Sequence, residues 1–303
     1  MHWLARICND HPRATRPLLR LAVPPLTRAG EWLTGDVPAS LLELASVAGQ
    51  RVYRRRRLGN GMQMIVPLND LPGAAIARDG YYEPETVQVF ERILRPGMIF
   101  FDVGAHCGQY TLVASRLVGE AGQVHSFEPD PLTNTQLSAN VALNGLGNVT
   151  VNQAAVGAAD ATVTFFESSA QYAGTSGLRP SPYFSGKSYP VACTTLDTYL
   201  RRRGLARIDA MKVDIEGAEL DLLLSTKDVL ASERRPIIVM EFNNAGQQRF
   251  GHVLNESEQV LRQYGYDIYR ISDLSAFEAR ADDPSYFNVL AWPTNKPKSF
   301  LAG

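Results

Sequence analysis

From residue 99 onward the chain alternates two hydrophobic patterns. Short, nearly continuous apolar runs end at acidic or glycine residues, and longer stretches with apolar positions three and four apart lie between them. The runs predict strands near 99–103, 123–128, 149–153, 210–214, 236–241, 266–271 and 286–291. The stretches predict helices near 109–118, 131–145, 217–230 and 255–264. Alternation of this kind indicates a parallel sheet with helices on both faces. The last two runs, which start at Tyr266 and Tyr286, are close enough in sequence to pair antiparallel. The expected class is therefore α/β: a Rossmann-like, seven-stranded, mostly parallel sheet.

Ahead of residue 99 the pattern changes. Residues 1 to about 50 hold two short amphipathic runs, at 18–23 and 41–45, punctuated by prolines at 12, 17, 24, 25 and 38. They predict a helical cap. Asn60-Gly61 then separates two strand-like runs, a strong hairpin signal. The arginines at 54–57 suit a solvated strand edge that resists sheet-to-sheet pairing, with an anionic surface as the alternative partner. The segment Asp79–Thr86 opens a helix whose stripe is Val87, Phe90, Ile93 and Leu94, and Pro96-Gly97 stops it. The chain thus divides into an N-terminal helical cap and β-hairpin extension, 1–75, and a main domain, 76–303. Residues 162–195 interrupt the alternation. Two extra strands, 162–167 and 189–194, flank a loop from Ser168 to Ser188 rich in Gly, Ser, Pro and Tyr. A loop this long in a compact domain is usually functional or disordered, and this one is assigned to substrate recognition or lid closure.

Composition narrows the partners. A hydrophobic content of 45% with 20% charged residues is that of an ordinary globular enzyme. A net charge of −1 provides no field that would gather nucleic acid. Cys8, Cys107 and Cys193 form neither a disulfide framework nor a metal-ligand spacing, which fits a reducing cytoplasm. No run of about 18 apolar residues predicts a membrane span. The first residues lack the apolar core and cleavage site of a secretory signal. Peripheral contact through the N-terminal region, and self-association, remain compatible with the sequence.

The candidate chemistry lies where the strands end. Ile99–Val103 runs into Gly104-Ala105-His106-Cys107-Gly108, and a helix follows from Gln109. A strand, a tight glycine turn and a helix start form a nucleotide-binding corner, because the backbone approaches a ligand only where Cβ atoms are missing. Asp102, at the strand's carboxyl end, would repel a pyrophosphate but suits a ligand carrying an amino group and a sulfonium. That points to S-adenosylmethionine rather than a nicotinamide dinucleotide. The next strand ends at Glu128, where a carboxylate typically grips ribose hydroxyls. A third constellation, Met211-Lys212-Val213-Asp214-Ile215-Glu216-Gly217-Ala218-Glu219, ends another core strand. Glu216 and Glu219 are favoured by a helix dipole in any case, whereas Asp214 faces the point where strand order reverses. Asp214, Glu216 and Glu241 are the candidate catalytic carboxylates for methyl transfer to a hydroxyl, which needs the acceptor oxygen held close and its proton taken. A divalent cation could bridge two of them, but the spacing matches no recognised metal motif, so no metal is predicted. Lys212 is expected in a structural ion pair, with orientation of the acceptor as the alternative. His106 is a candidate base less favoured than its backbone role, and Cys107 is a small filler. His2, His11, His125 and His252 show no pairing pattern.

Taken together, Phe101–Thr111, Phe127-Glu128-Pro129, Asn140–Asn144, Thr195-Leu196-Asp197 and Met211–Glu219, with Gly80–Glu85 ahead of them, resemble the FkbM family of methyltransferases. The resemblance covers roughly residues 76–292. It implies a class I methyltransferase fold and O-methylation of a hydroxyl on a sugar, glycolipid or polyketide-type natural product. Carried over by position, Asp102, Gly104 and Gly108 would line the methionine part, Glu128 the ribose and Ala155 the adenine. Asp214 would lie near the reacting methyl and Glu83 near the amino-acid end. Ala105, Tyr110, Thr111 and Pro129, within the same motifs, complete the expected cofactor contacts. One departure stands out: the family usually has Asn where this chain has His106. Two rival readings are kept. A nicotinamide oxidoreductase would need G-x-G-x-x-G, which this turn lacks. A non-catalytic cofactor-binding scaffold would have little reason to keep Asp102, Glu128 and Asp214 together.

Overall fold

The computed structural model describes residues 52–277 and 286–298. The helical runs expected at 18–23 and 41–45, and any contact made through them, lie outside the described residues. Strands β1 (Tyr53–Arg57) and β2 (Gln63–Pro67) pair antiparallel around the Asn60-Gly61 turn, where Gly61 takes φ +87°. Arg55, Arg56 and Arg57 are all exposed along β1, as expected of a solvated edge. Helix α1 (Leu71–Asp79) follows and was not expected. Its Gly73 lies so close to Pro67 that a Cβ would meet the proline carbonyl oxygen, which lets the helix fold back against β2. The boundary drawn between residues 75 and 76 falls inside this helix.

Helix α2 (Pro84–Ile93) then leads to a seven-stranded sheet. Its strands in chain order are β3 (Ile99–Val103), β4 (Gln123–Phe127), β5 (Val149–Asn152), β9 (Ala210–Val213), β10 (Ile237–Phe242), β11 (Tyr266–Arg270) and β12 (Phe287–Pro293). In space they run β11-β12-β10-β9-β3-β4-β5. The ladders among β5, β4, β3, β9 and β10 are parallel, and β12 runs antiparallel to both its neighbours. The predicted seven-stranded, mostly parallel architecture is therefore present. Helices α3 (Gln109–Val118) and α4 (Pro131–Leu143) connect β3 to β4 and β4 to β5. The alternation within each strand builds two cores. Phe101, Val103, Met211, Val213 and Met240 pack on one face, and Phe100, Val124, Ala210, Val239 and Leu290 on the other.

The interruption at 162–195 forms its own small sheet from β6 (Ala155–Val156), β7 (Ala161–Ser168) and β8 (Phe184–Thr194), in the order β6-β8-β7. The connection between β7 and β8 is built rather than open. It holds a 3-10 turn at Ala170–Thr175, the Ser168 and Ser181 hydroxyls bond at 2.7 Å, and the Tyr172 and Tyr183 rings stack with centroids 3.7 Å apart. Helix α5 (Leu196–Arg203), also unexpected, is capped by Thr195, which accepts from the Thr198 N–H. The single helix expected near 217–230 is two: α6 (Glu219–Ser225) and α7 (Lys227–Ala231). Helices α8 (Asn244–Gln248) and α9 (Leu254–Gln263) complete the order.

The hairpin is stitched to the main sheet's helices by side-chain amides. Asn140 on α4 accepts from the Ile65 N–H at 2.7 Å and donates to its carbonyl at 3.0 Å, and Asn144 does the same for Gln63 at 2.8 and 2.6 Å. Met64 and Val66 are buried with Ile76, Cys107 and Leu112. This edge-on pairing of amide side chains with a strand satisfies backbone groups that would otherwise stay unpaired.

Candidate cofactor and active site

In open parallel sheets ligands bind beyond the carboxyl ends of the strands, where the chain leaves neighbouring strands in opposite directions. Here that point lies between β3 and β9, and a cavity of about 300 Å³ opens there. Gly104, Ala105 and Tyr110 from the β3 turn and α3 line it, with Glu128 and Pro129 after β4 and Ala155 on β6. Lys212 on β9, Asp214 and Glu216 after it, and Glu241 on β10 line the opposite part. The loop between β7 and β8 and the start of α1 form the remaining wall, through Tyr172–Leu178, Tyr183 and Asp70–Pro72. Gly174 approaches Pro72, and Gly177 approaches Glu216, so the loop touches both sides of the opening.

The turn after β3 is fastened on two sides. Gly104 and Ala105 donate their N–H groups to the Phe127 carbonyl at 3.1 and 2.9 Å, and the Asp214 N–H bonds to the Val103 carbonyl at 2.9 Å. Gly104 has φ +84°, and a Cβ there would lie 1.8 Å from the Asp214 carbonyl oxygen. The glycine is thus required by the crossing of two strand ends. His106 also takes a left-handed backbone, φ +49°. Its N–H donates to Glu128 Oε2 at 2.9 Å, and Glu128 Oε1 accepts from the Asp130 N–H at 2.9 Å. Burial raises Glu128 to about 7.

Other expected cofactor residues stand behind the cavity wall. Asp102 is fully buried beneath the turn and accepts from Thr111 Oγ1 at 2.5 Å; Thr111 in turn meets Ser126 Oγ at 2.7 Å. Burial raises Asp102 to about 6. Gly108 caps α3 against Leu137. Glu83, left-handed at φ +50°, accepts from the Tyr110 hydroxyl and from Asn288 Nδ2, each at 2.7 Å. Asp102, Gly108, Thr111 and Glu83 therefore shape the surface that Gly104, Tyr110 and Glu128 present, and none of them lines the main cavity.

The carboxylates at the other end form a charged knot. Oxygens of Asp214, Glu216 and Glu241 lie within 4.8 Å of one another, the arrangement among the described residues that could hold a metal ion. Lys212, buried, donates to Asp214 Oδ2 at 3.1 Å and lies 5.6 Å from the Tyr110 ring centroid. Burial opposes its charge, but Asp214, Glu83 and Glu241 outweigh it and raise its pKa. Burial, then the charge of Asp214, lifts both Glu216 and Glu241 well above the carboxylate range. Arg249 anchors Glu216 through its carbonyl at 3.1 Å and faces its carboxylate at 3.6 Å. Glu219 plays a structural part: its Oε1 accepts from the Ile215 and Gly217 N–H groups at 3.0 and 3.2 Å. His125 lies away from the site among Phe101, Phe127 and Tyr199, where burial lowers it to about 4. The sequence reading missed Asp70, and it assigned the loop from Ser168 to Ser188 to substrate recognition or lid closure without naming Tyr172 or Tyr183. Asp70 had a signal, since Asn69-Asp70-Leu71-Pro72 is a helix-start pattern.

An α/β domain with this strand order, a glycine turn after its first sheet strand and an acid after the second defines a nucleoside-binding enzyme framework. A family model described as Methyltransferase FkbM domain matches residues 102–268. The chain is 26% identical over 207 residues to the 31-O-demethyl-FK506 methyltransferase FkbM of Streptomyces tacrolimicus, covering 59% of this chain and 76% of that protein. It is 28% identical over 202 residues to methyltransferase sdnD of Sordaria araneosa, covering 56% and 73%. A match at 26% identity to the AMB antimetabolite synthetase AmbE of Pseudomonas aeruginosa covers 62% of this chain but only 10% of that protein. Among solved structures, an rRNA methylase from Streptococcus thermophilus aligns over 69% of this chain and 93% of its own, at 12% identity and a TM-score of 0.37. An O-methyltransferase from Thermotoga maritima aligns over 84% and 83%, at 12% identity and 0.38; the assignment does not rest on these structural likenesses. The chain belongs to the FkbM family of methyltransferases, and S-adenosylmethionine is its cofactor. The cavity suits that ligand: the Gly104 turn lines it with backbone, Glu128 offers carboxylate oxygens, and the acids beyond Lys212 favour a cation.

Proposed function

We propose that the protein transfers a methyl group to a hydroxyl of a small-molecule acceptor, a sugar, glycolipid or natural product, in the cytoplasm. The observation that carries this reading is the knot of Asp214, Glu216 and Glu241 on the cavity wall. Bound there, S-adenosylmethionine supplies an electrophilic methyl on a sulfonium. Asp214, held by Lys212, lies where a negative charge would favour that cation. Glu241 and Glu216 have the raised basicity that suits them to take the hydroxyl proton as the acceptor oxygen is methylated. The Tyr172–Tyr183 stack, Ala173 and Leu178 offer the acceptor an aromatic and apolar wall, with the Thr175 and Ser176 hydroxyls between them. The name of the Streptomyces relative also supports O-methylation. Buried, unpaired Cys107 and Cys193 agree with a cytoplasmic location, and no described helix is long and apolar enough to cross a membrane.

The test is incubation with methyl-labelled S-adenosylmethionine and a panel of hydroxyl compounds, read by mass spectrometry. One labelled methyl on oxygen is expected. Labelling only on nitrogen or carbon would overturn the O-methyl assignment, and cofactor binding with no product across the panel would favour the scaffold reading. Lys212 already places a positive charge 3.1 Å from Asp214. Dialysis against EDTA is therefore expected to leave turnover unchanged; a loss restored by Mg²⁺ would show that the three acids hold an ion.

A further inference from the structure

Asp70 is the N-cap of α1, yet its side chain makes no cap hydrogen bond, although Asp is among the preferred residues for that task. Its carboxylate is turned inward instead. It is buried, lines the cofactor cavity, and places Oδ2 3.1 Å from His106 Nε2. Oδ1, like Oδ2 and His106 Nε2, is buried with no hydrogen-bond partner among the described residues, so the 3.1 Å contact is an ion-pair approach and Oδ1 lacks even that. Buried polar atoms are nearly always satisfied, and one left open on a cavity wall calls for a donor from what fills the cavity.

The neighbours say which part of the ligand that is. His106 stands between two carboxylates: its backbone N–H donates to Glu128 Oε2, and its ring faces Asp70 Oδ2. Burial works against a charged imidazole, but the Cys107 sulfur and the Asp70 carboxylate outweigh it and hold His106 well above its usual value. The imidazole lies against Oδ2 at 3.1 Å, and Oδ1 has no partner among the described residues. Glu128 occupies the strand end that takes ribose hydroxyls in nucleoside-binding sheets. We propose that Asp70 is a second carboxylate of the nucleoside site, held by His106 and accepting a hydrogen bond from a ribose hydroxyl of the cofactor. The α1 segment thereby contributes directly to cofactor binding although it precedes the residues matched by the family model. This rests on S-adenosylmethionine being the cofactor.

The experiment is calorimetric titration of full-length wild type and Asp70→Asn with S-adenosylhomocysteine and with its 2′-deoxy and 3′-deoxy analogues. Asparagine keeps the shape and the capping capacity, and a thermal melt without ligand checks that the fold is retained. Asp70→Asn is expected to weaken S-adenosylhomocysteine about tenfold. One deoxy analogue should bind more weakly than S-adenosylhomocysteine to wild type and lose distinctly less in the variant, because the hydroxyl and the lost charge act on the same bond. Equal affinity of wild type and variant would overturn the proposal. So would identical deoxy penalties in both proteins, the result expected if Asp70 only supports the fold. Failure of wild type to bind S-adenosylhomocysteine at all would instead strike the cofactor assignment itself.

Discussion

Gly104→Ala is expected to abolish detectable S-adenosylhomocysteine binding and to destabilise the domain. Alanine at φ +84° costs about 1–2 kcal/mol for the left-handed backbone alone. The larger effect is steric, because the new Cβ would stand 1.8 Å from the Asp214 carbonyl oxygen. No rotamer change relieves a clash with backbone. Either the turn lifts away from Phe127, breaking the bonds at 3.1 and 2.9 Å, or the end of β9 moves and carries Asp214 with it. Both routes disorganise the cavity. Gly97→Ala is the control: Gly97 also has a positive φ, +85°, but nothing lies within 4 Å of its missing Cβ. That variant should lose only the backbone term and bind the cofactor normally. Titration calorimetry and thermal melts of the two variants separate the effects; full cofactor affinity in Gly104→Ala would show that the strand ends do not cross as described.

That crossing also explains what could be read from the sequence. The sheet was legible because its inner strands are buried on both faces, so they appear as nearly continuous apolar runs such as 237–240, interrupted only near the strand end by Glu241. The acids at 102, 128 and 214 were legible as strand-end residues, but their depths were not. Asp102 lies inside β3 opposite Ser126, whereas Glu128 follows the end of β4, two positions further along the same ladder. One therefore faces Thr111 beneath the turn and the other reaches the cavity. Helix α1 was hidden because Pro72 and Gly73 look like breakers in isolation. In the fold, the proline sits in the first turn, where its missing N–H costs nothing, and the glycine permits close approach to Pro67. The helix expected across 217–230 was overextended because Gly217, at φ +106° and packed on the Gly246 backbone, cannot start it. Its interior also breaks at Thr226, whose hydroxyl bonds back to the Leu222 carbonyl at 2.6 Å. The helix-start pattern at Asn69-Asp70-Leu71-Pro72 could mark Asp70 as a cap but not its contact with His106, which only the folded hairpin and α1 bring together.

Asp214→Asn is expected to lower turnover by about 10²–10⁴-fold, the range over which a positioned charge or proton acceptor contributes to catalysis. Three consequences distinguish this role from a merely structural one. First, S-adenosylmethionine should lose more affinity than S-adenosylhomocysteine, because only the former carries a sulfonium for the Asp214 charge to attract. Second, the acidic limb of the pH–rate profile should move to lower pH. Burial and the charge of Asp214 together hold Glu216 and Glu241 above their usual range. Removing that charge lowers both, so the surviving base deprotonates at lower pH and is a weaker proton acceptor. Third, stability and activity should part company. Lys212 is buried and loses its partner at 3.1 Å, leaving a buried cation with less compensation. The double variant Lys212→Met, Asp214→Asn removes that cation and should recover part of the lost stability while turnover stays low. A double variant that regained turnover along with its melting temperature would show that Asp214 serves the fold and not the reaction. An unshifted pH profile in the single variant would mean that neither Glu216 nor Glu241 takes the proton.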